Sequence, residues 1–264
     1  MAEKTRIDVY LHEKGLAESR EKARALIMAG EVGIDGQMCA KASAMVSEGQ
    51  QVTVKRSDAF VSRGGKKLQK AIDSFDLQLS GVTAIDVGAS TGGFTDCMLR
   101  QGAAFVYAVD VGYGQLAWRL RQDARVRVME RQNARYLEPQ MFDRPIGFAS
   151  IDVSFISLKL ILPAVSKILT PPFTIAALIK PQFEAGRDHV GKKGVVRDKK
   201  VHIDVIHHVL AFAAQSGLAV CGLDYSPIKG PEGNIEYLAC FRDSGETACP
   251  DIAIVVDAAH ESAE

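Results

Sequence analysis

Beyond residue 80 the chain alternates between short apolar runs and stretches of helical period, and that alternation limits the folds open to it. The runs fall at 84–87, 105–109, 148–151, 174–179, 218–220 and 237–240, with helical stretches around 93–101, 115–122, 157–168 and 199–216. Strands alternating with helices predict an α/β domain on a doubly wound, mostly parallel sheet. The last two runs flank residues 230–234 and are expected to form an antiparallel hairpin at one edge. Hydrophobic residues make up 47% of the chain, enough to bury such a core.

The first 56 residues follow another plan, helix–helix–strand–strand. Ser19 is placed to cap a helix carrying Ala23, Leu26 and Ile27, and Gly30 stands where a helix-ending glycine belongs. Val32-Gly33-Ile34 then runs into an Asp35-Gly36 turn, and 51–54 reads as a further strand. Arg6-Ile7-Asp8, Gly15-Leu16, Ser19-Arg20, Ala23, Leu26-Ile27, Gly30, Val32, Asp35-Gly36, Lys41 and Gly49 resemble the S-four-like RNA-binding module of ribosomal proteins, pseudouridine synthases and tRNA synthetases. The resemblance implies that Arg6, Arg20, Lys22, Arg24 and Lys41 meet RNA phosphates. Read by charge alone, with Glu18 and Glu21 interspersed, the same residues fit a solvated helix face equally well. Residues 57–63 read as a linker, which leaves 64–264 for the α/β domain.

Formal net charge is zero, so the total points to neither nucleic acid nor membrane, although residues 1–70 carry an excess of four positive charges. The tail after Arg242 holds six acids and no lysine or arginine, and is expected to be a solvated end. Five scattered cysteines without a CxxC pair argue against a disulfide framework or zinc site, and no metal is expected. No apolar run approaches the roughly 20 residues needed to span a bilayer, and the charged opening Met1–Arg6 lacks a signal-peptide core. A cytoplasmic monomer without stable membrane association is the expectation.

The stretch Asp86-Val87-Gly88-Ala89-Ser90-Thr91-Gly92-Gly93-Phe94 leads an apolar strand through small residues into a helix. At the carboxyl edge of an open sheet, such a turn lets backbone approach a ligand. Ser90 occupies the middle position of a dinucleotide G-x-G-x-x-G, and no lysine follows Gly93 as a P-loop requires. The acid-first form resembles the S-adenosylmethionine (SAM) loop of class I methyltransferases, whose fold is Rossmann-like. Asp110, about 20 residues on at the next strand's end, suits a ribose diol. Asn133 has two readings: recognition of the adenine amino group, or a turn-forming asparagine.

Four charged residues lie where burial is costly. Lys67 precedes the first strand, Asp152 and Lys180 close strands, and Glu236 enters the last one. A ribose hydroxyl is a poor nucleophile at neutral pH, so methylating it needs a base and in-line placement against the methyl donor. A partly desolvated lysine near another cation has a lowered pKa and can take the proton, neighbouring carboxylates orient it while opposing that shift, and a Lys-Asp-Lys-Glu set has these parts. A strand-closing charge with no chemical role is the competing reading for each residue taken singly.

Ser62-Arg63-Gly64, the loop from Asp86 to Phe94, Asp110-Val111-Gly112-Tyr113-Gly114-Gln115-Leu116-Ala117-Trp118, Asp152-Val153-Ser154-Phe155-Ile156-Ser157, Lys180-Pro181-Gln182-Phe183-Glu184 and Gly233-Asn234-Ile235-Glu236 resemble the TlyA family. That family, called hemolysin A-like in many descriptions, has an FtsJ-like methyltransferase domain. The resemblance runs from about residue 6 to 242. It implies SAM-dependent 2′-O-methylation of cytidine in ribosomal RNA of the small or large subunit, with Lys67, Asp152, Lys180 and Glu236 as the tetrad. It also implies that Phe155 helps to hold SAM, with Asp86, Gly88, Ser90, Gly92, Gly93, Asp110, Asn133 and Asp152 around it, and that Arg63 joins the RNA-binding set. Lys66 stands where the family pattern has His, and Lys67 keeps the spacing from Ser62-Arg63-Gly64.

Three other functions were open. A membrane-lytic protein lacks its basic amphipathic helix, a pseudouridine synthase lacks its Gly-Arg-Leu-Asp motif, and a non-catalytic RNA-binding protein of ribosome assembly would not need the four charges. His202, His207 and His208 lack H-E-x-x-H spacing and read as surface or packing residues. The glycine-rich, basic stretch 186–198 reads either as a cap that contacts RNA or as an idle surface loop.

Overall fold

The computed structural model describes residues 4–17, 19–54, 60–191 and 193–262. Residues 57–59 of the expected linker lie outside them. The chain divides into two compact units, residues up to Phe60 with Ala117–Asp123, and Val61–Leu116 with Ala124 onward.

The first unit contains β1 (Lys4–Arg6), α1 (Ile7–Glu13), α2 (Arg20–Met28), β2 (Val32–Ile34), β3 (Gln37–Met38), β4 (Met45–Ser47) and β5 (Val52–Val54). Ser19 Oγ accepts from Lys22 N at 3.2 Å and starts α2, as its position predicts. Asp35 and Gly36 both take positive φ, the geometry of a two-residue turn, and fold β2 back on β3 with Ile34 opposite Gln37. Ile7, Leu11, Ala23, Ile27, Val32 and Val46 form the core of this unit.

The second unit runs α3 (Gly65–Phe75), β6 (Thr83–Val87), α4 (Gly93–Arg100), β7 (Phe105–Val109), α5 (Trp118–Arg121, which groups with the first unit), β8 (Val126–Met129), β9 (Phe148–Ile151), α6 (Leu162–Ile168), β10 (Thr174–Ile179), α7 (Pro181–Glu184), α8 (Lys199–Gln215), β11 (Ala219–Tyr225), β12 (Tyr237–Arg242) and α9 (Ile252–Glu261). The sheet order is β11-β12-β10-β9-β6-β7-β8, parallel from β10 to β8. The expected hairpin closes one edge, and the reversed strand β12 lies one place inside it.

Strand alternation sorts the side chains by parity. Odd-numbered residues such as Ile85, Tyr107, Ile151, Ile179 and Phe241 pack with α6, α8 and α9. Even-numbered positions face α3 and α4, where Asp86 meets Thr95. Three helices escaped the sequence reading, the four-residue α7 among them. Leu68, Ala71 and Ile72 give α3 an apolar stripe that places Lys67 in a helix's first turn rather than in a connecting segment. The acidic tail is not wholly a solvated end either. Ile252, Val256 and Ala259 are buried in α9, one helical face apart from the acids.

Candidate active site

Sheet register assembles the four charged residues. Val87 and Ala177 both pair with Ile151, and Ile179 pairs with Tyr237. Asp152, Lys180 and Glu236 each lie one step beyond these pairs. Because β12 runs opposite to its parallel neighbours, its beginning shares an edge with their ends. All three positions have the parity that faces α3, and Lys67 reaches them from its first turn. Glu236 Oε2 accepts from Lys67 Nζ at 2.5 Å, Lys67 Nζ lies 4.0 Å from Asp152 Oδ2, and Lys180 Nζ lies 2.6 Å from Asp152 Oδ1. Lys67, Lys180 and Glu236 are buried, and Asp152 is half-buried. The alternating acids and bases make burial of four charges tolerable, since each has an opposite charge in contact or at 4.0 Å. Helix geometry also separates the adjacent lysines: Lys66 points to solvent while Lys67 points inward.

The glycine loop lies alongside. Gly88 has φ +87, and a Cβ there would stand 2.5 Å from the carbonyl oxygen of Asp152, so only glycine lets β6 end this close to β9. Ser90 and Gly92 also have positive φ, and Ser90 N donates to Asp110 Oδ2 at 2.7 Å. Asp110 takes a second backbone donor from Gly112 at 2.7 Å and stays half-exposed at the end of β7. Phe155, at φ +63 and 90% exposed, packs its ring against Phe183 with centroids 4.9 Å apart.

Three of the residues expected around the cofactor have structural partners of their own. Asp86 is fully buried; its carboxylate accepts from Thr95 N, Thr95 Oγ1 and Ser150 Oγ, which ties the loop to the start of α4. Burial pushes its carboxyl up to about 7, against the hydrogen bonds that favour the ionised form. It positions the loop from behind instead of facing the cleft. Gly93 serves close packing as well: a Cβ there would strike Ser62 Oγ and the backbone of Gly64 and Gly65. Asn133 caps the turn Ala134–Tyr136, with Oδ1 accepting from Arg135 N at 3.1 Å, so the turn-forming reading describes its carbonyl. The loop fits SAM in its chemistry. It offers glycine backbone, a half-exposed carboxylate and an exposed aromatic ring, with no lysine at the turn that would select a phosphate.

In the first unit Arg6, Arg20 and Arg24 converge on one buried carboxylate, Asp8, at 3.0, 3.1 and 3.1 Å. Led by Arg6, the guanidiniums hold the Asp8 carboxyl far below the ordinary range. The arginines are thus fixed while half of each side chain faces solvent. Lys22 and Lys41 are exposed, as is Arg63 in the second unit. Asp8 as organiser was missed, although an acid two residues from an arginine and buried on an apolar face is the signal for it.

Two further polar residues also went unread. Ser154 Oγ accepts from Lys180 Nζ at 3.1 Å. Asn234 is buried and grips the stretch after α7: its Oδ1 accepts from Val196 N at 3.2 Å and its Nδ2 donates to Gly194 O at 2.9 Å. His202 is buried against Tyr237 Oη and Val196 O, while His207 and His208 are exposed.

Comparison with known proteins agrees with this geometry. The FtsJ-like methyltransferase family matches residues 60–243, and the S4 domain matches residues 5–52. YqxC of Bacillus subtilis, provisionally named an rRNA methyltransferase, is 52% identical over 93% of this chain and 88% of its own length. The 16S/23S rRNA (cytidine-2′-O)-methyltransferase TlyA of Mycobacterium tuberculosis is 43% identical over 94% of this chain and 93% of its own. A solved structure from Streptococcus thermophilus, provisionally described as a hemolysin, is 49% identical, covers 99% of this chain and 98% of its own, and superposes with a TM-score of 0.75. A Rossmann-like sheet with a glycine loop at its carboxyl edge, preceded by an S4 domain and matched along nearly its whole length by these relatives, makes the chain a member of the FtsJ-like methyltransferase family, in the group that includes TlyA.

Proposed function

We propose that this chain carries the methyl group of SAM to the 2′-hydroxyl of cytidine in ribosomal RNA, acting in the cytoplasm as a monomer on ribosomal subunits or their RNA. The observation that carries the reading is the closed Lys67–Glu236 and Lys180–Asp152 pairing beside the Gly88 loop. The names of the TlyA relatives supply the substrate class. SAM, when bound, supplies an activated methyl group.

The residues supply placement and the proton acceptor. Asp110, Ser90 and the Gly88–Gly92 backbone would hold the nucleoside end, and Phe155 would cover it. Bound SAM would give up its methyl group and leave as S-adenosylhomocysteine, and Lys180, in its neutral form, takes the proton of the attacking 2′-hydroxyl. It is aimed by Asp152 at 2.6 Å and Ser154 at 3.1 Å, as Lys67 is aimed by Glu236 at 2.5 Å. Lys67 in turn anchors Glu236 and shares Asp152, which keeps the reacting edge rigid. The three arginines around Asp8, together with Lys22, Lys41 and Arg63, grip phosphates.

The test is transfer of labelled methyl from SAM to ribosomal RNA, with 2′-O-methyl marks mapped by position. Lys67→Met and Lys180→Met each lose about 100-fold or more in rate, the usual scale for a positioned acid or base, with SAM affinity intact. Lys66→Met stays near the parent rate. Full activity in either tetrad variant, or no ribose mark in RNA, would sink the reading.

A further inference from the structure

Between α7 and α8 the described residues make a close turn, Gly191 N donating to Val195 O at 3.1 Å and Gly194 N to Gly191 O at 2.8 Å. It surrounds an open cavity of about 420 Å³ lined by His189, Gly191, Lys193, Val195 and Arg197. Lys193 and Arg197 put two positive charges on that small concave surface, with His189 beside them. Among the described residues none of the three side chains has a carboxylate partner. The neighbouring acid Asp198 caps α8 by accepting from Lys200 N at 2.8 Å, and Asp188 is exposed outside the lining. Unpaired cations grouped around a glycine turn are arranged for an anion that is not part of the chain.

An idle loop would not be held as this one is. Val196 is buried, with its N–H on Asn234 Oδ1 and its carbonyl on the His202 ring at 3.0 Å, while Asn234 Nδ2 holds Gly194 O. Asn234 lies two residues before Glu236, and the stretch itself begins just after Lys180 and α7. The cavity is therefore latched to the segments that deliver two of the four charged residues. Ordering of the loop is already met by these buried bonds, so an incoming anion does not have to supply it.

We infer that this cavity binds the phosphodiester backbone of the RNA strand next to the nucleotide presented to the tetrad, and that Asn234 is the residue that positions it. The inference rests on the methyltransferase reading for its choice of polyanion. A nucleic acid strand suits a cavity with two exposed cations on a held backbone, because lysine and arginine bind successive phosphates whatever the base sequence.

The test is binding of a fluorescently labelled, cytidine-containing single-stranded RNA oligonucleotide to the full chain over a series of salt concentrations. Parent, Lys193→Ala/Arg197→Ala, and the control Arg144→Ala/Lys167→Ala are compared. The control removes the same charge from the opposite edge, before β9 and β10. The cavity variant is expected to bind roughly tenfold more weakly, with the slope of log affinity against log salt reduced by about 1.4, near 0.7 for each lost phosphate contact. The control keeps a slope closer to the parent, and SAM affinity measured by calorimetry is the same in all three. Unchanged affinity and slope in the cavity variant, or an equal loss in the control, overturns the inference. So does a loss of SAM affinity with RNA affinity intact, which would give the cavity to the cofactor's carboxylate. Binding is read without turnover, so the two readings fail separately. A chain that shows the slope change but methylates no RNA refutes the catalytic reading alone; a chain that methylates RNA with the slope unchanged refutes this one alone.

Discussion

At the scale of single residues, the site depends on close backbone approach as much as on charge. Gly88 brings the end of β6 against the Asp152 carbonyl, which leaves no room for a methyl group. Gly88→Ala is therefore expected to push apart the cofactor loop and the residue that aims Lys180. An intruding methyl in a packed site costs about 1–3 kcal/mol, so SAM affinity should fall roughly tenfold or more, with activity falling at least as far. Calorimetric titration with SAM checks this, and parent-like affinity would show that the loop can relax. Asp86 teaches the complementary point. The same motif position that suggests a ligand contact is fully buried here, and its three hydrogen bonds fasten the loop from within.

Among the elements, α8 joins the core to the stretch after α7 through His202. Burial pushes this imidazole down to about 4 from 6.5, so the folded state favours the neutral ring. Between those values the unfolded chain binds more protons, and the His202 contribution to stability is lost as pH falls from 6.5 towards 4. His202→Gln keeps a polar side chain but cannot titrate. Denaturant midpoints of parent and variant should therefore converge as pH falls through that window. A constant difference would place the origin of the pH dependence elsewhere. Strand β12 has the other decisive role at this scale, since only a reversed strand presents its first residue, preceded by Glu236, at the edge where Lys180 ends β10.

For the whole molecule, two basic surfaces are separated in sequence and built differently. In the first unit one buried acid fixes three arginines; in the second, Lys193 and Arg197 beside a glycine turn have no carboxylate partner among the described residues. Arg20→Ala/Arg24→Ala should lower the salt slope of RNA binding by about 1.4 for a single strand, while leaving SAM affinity unchanged. The same variant leaves Asp8 with Arg6 as its sole partner among these three. The acid's stabilising effect, present above the ordinary carboxylate range and lost as pH falls through its lowered value, should then shrink. Salt-dependent oligonucleotide binding and acid titration of the full chain read the two effects independently.

The sequence by itself determined the strand–helix alternation of the second unit and the glycine loop, and singled out four charged residues, because each is written in local signals: strand-length apolar runs, a turn that only small residues permit, and charges at strand ends. It also carried the S4 pattern, whose capping serine and Asp35-Gly36 turn act within a few residues of themselves. The tertiary structure alone decided which of these residues meet. The Lys67–Glu236 contact joins residues 169 positions apart, and it exists because α3 covers one sheet face and β12 runs backward. The same packing turned Asp86 inward, distinguished Lys67 from Lys66, buried one face of an acidic tail, and tied an apparently loose loop to Asn234. Those outcomes depend on which face of each element is covered and by what, and a list of residues in order does not contain that information.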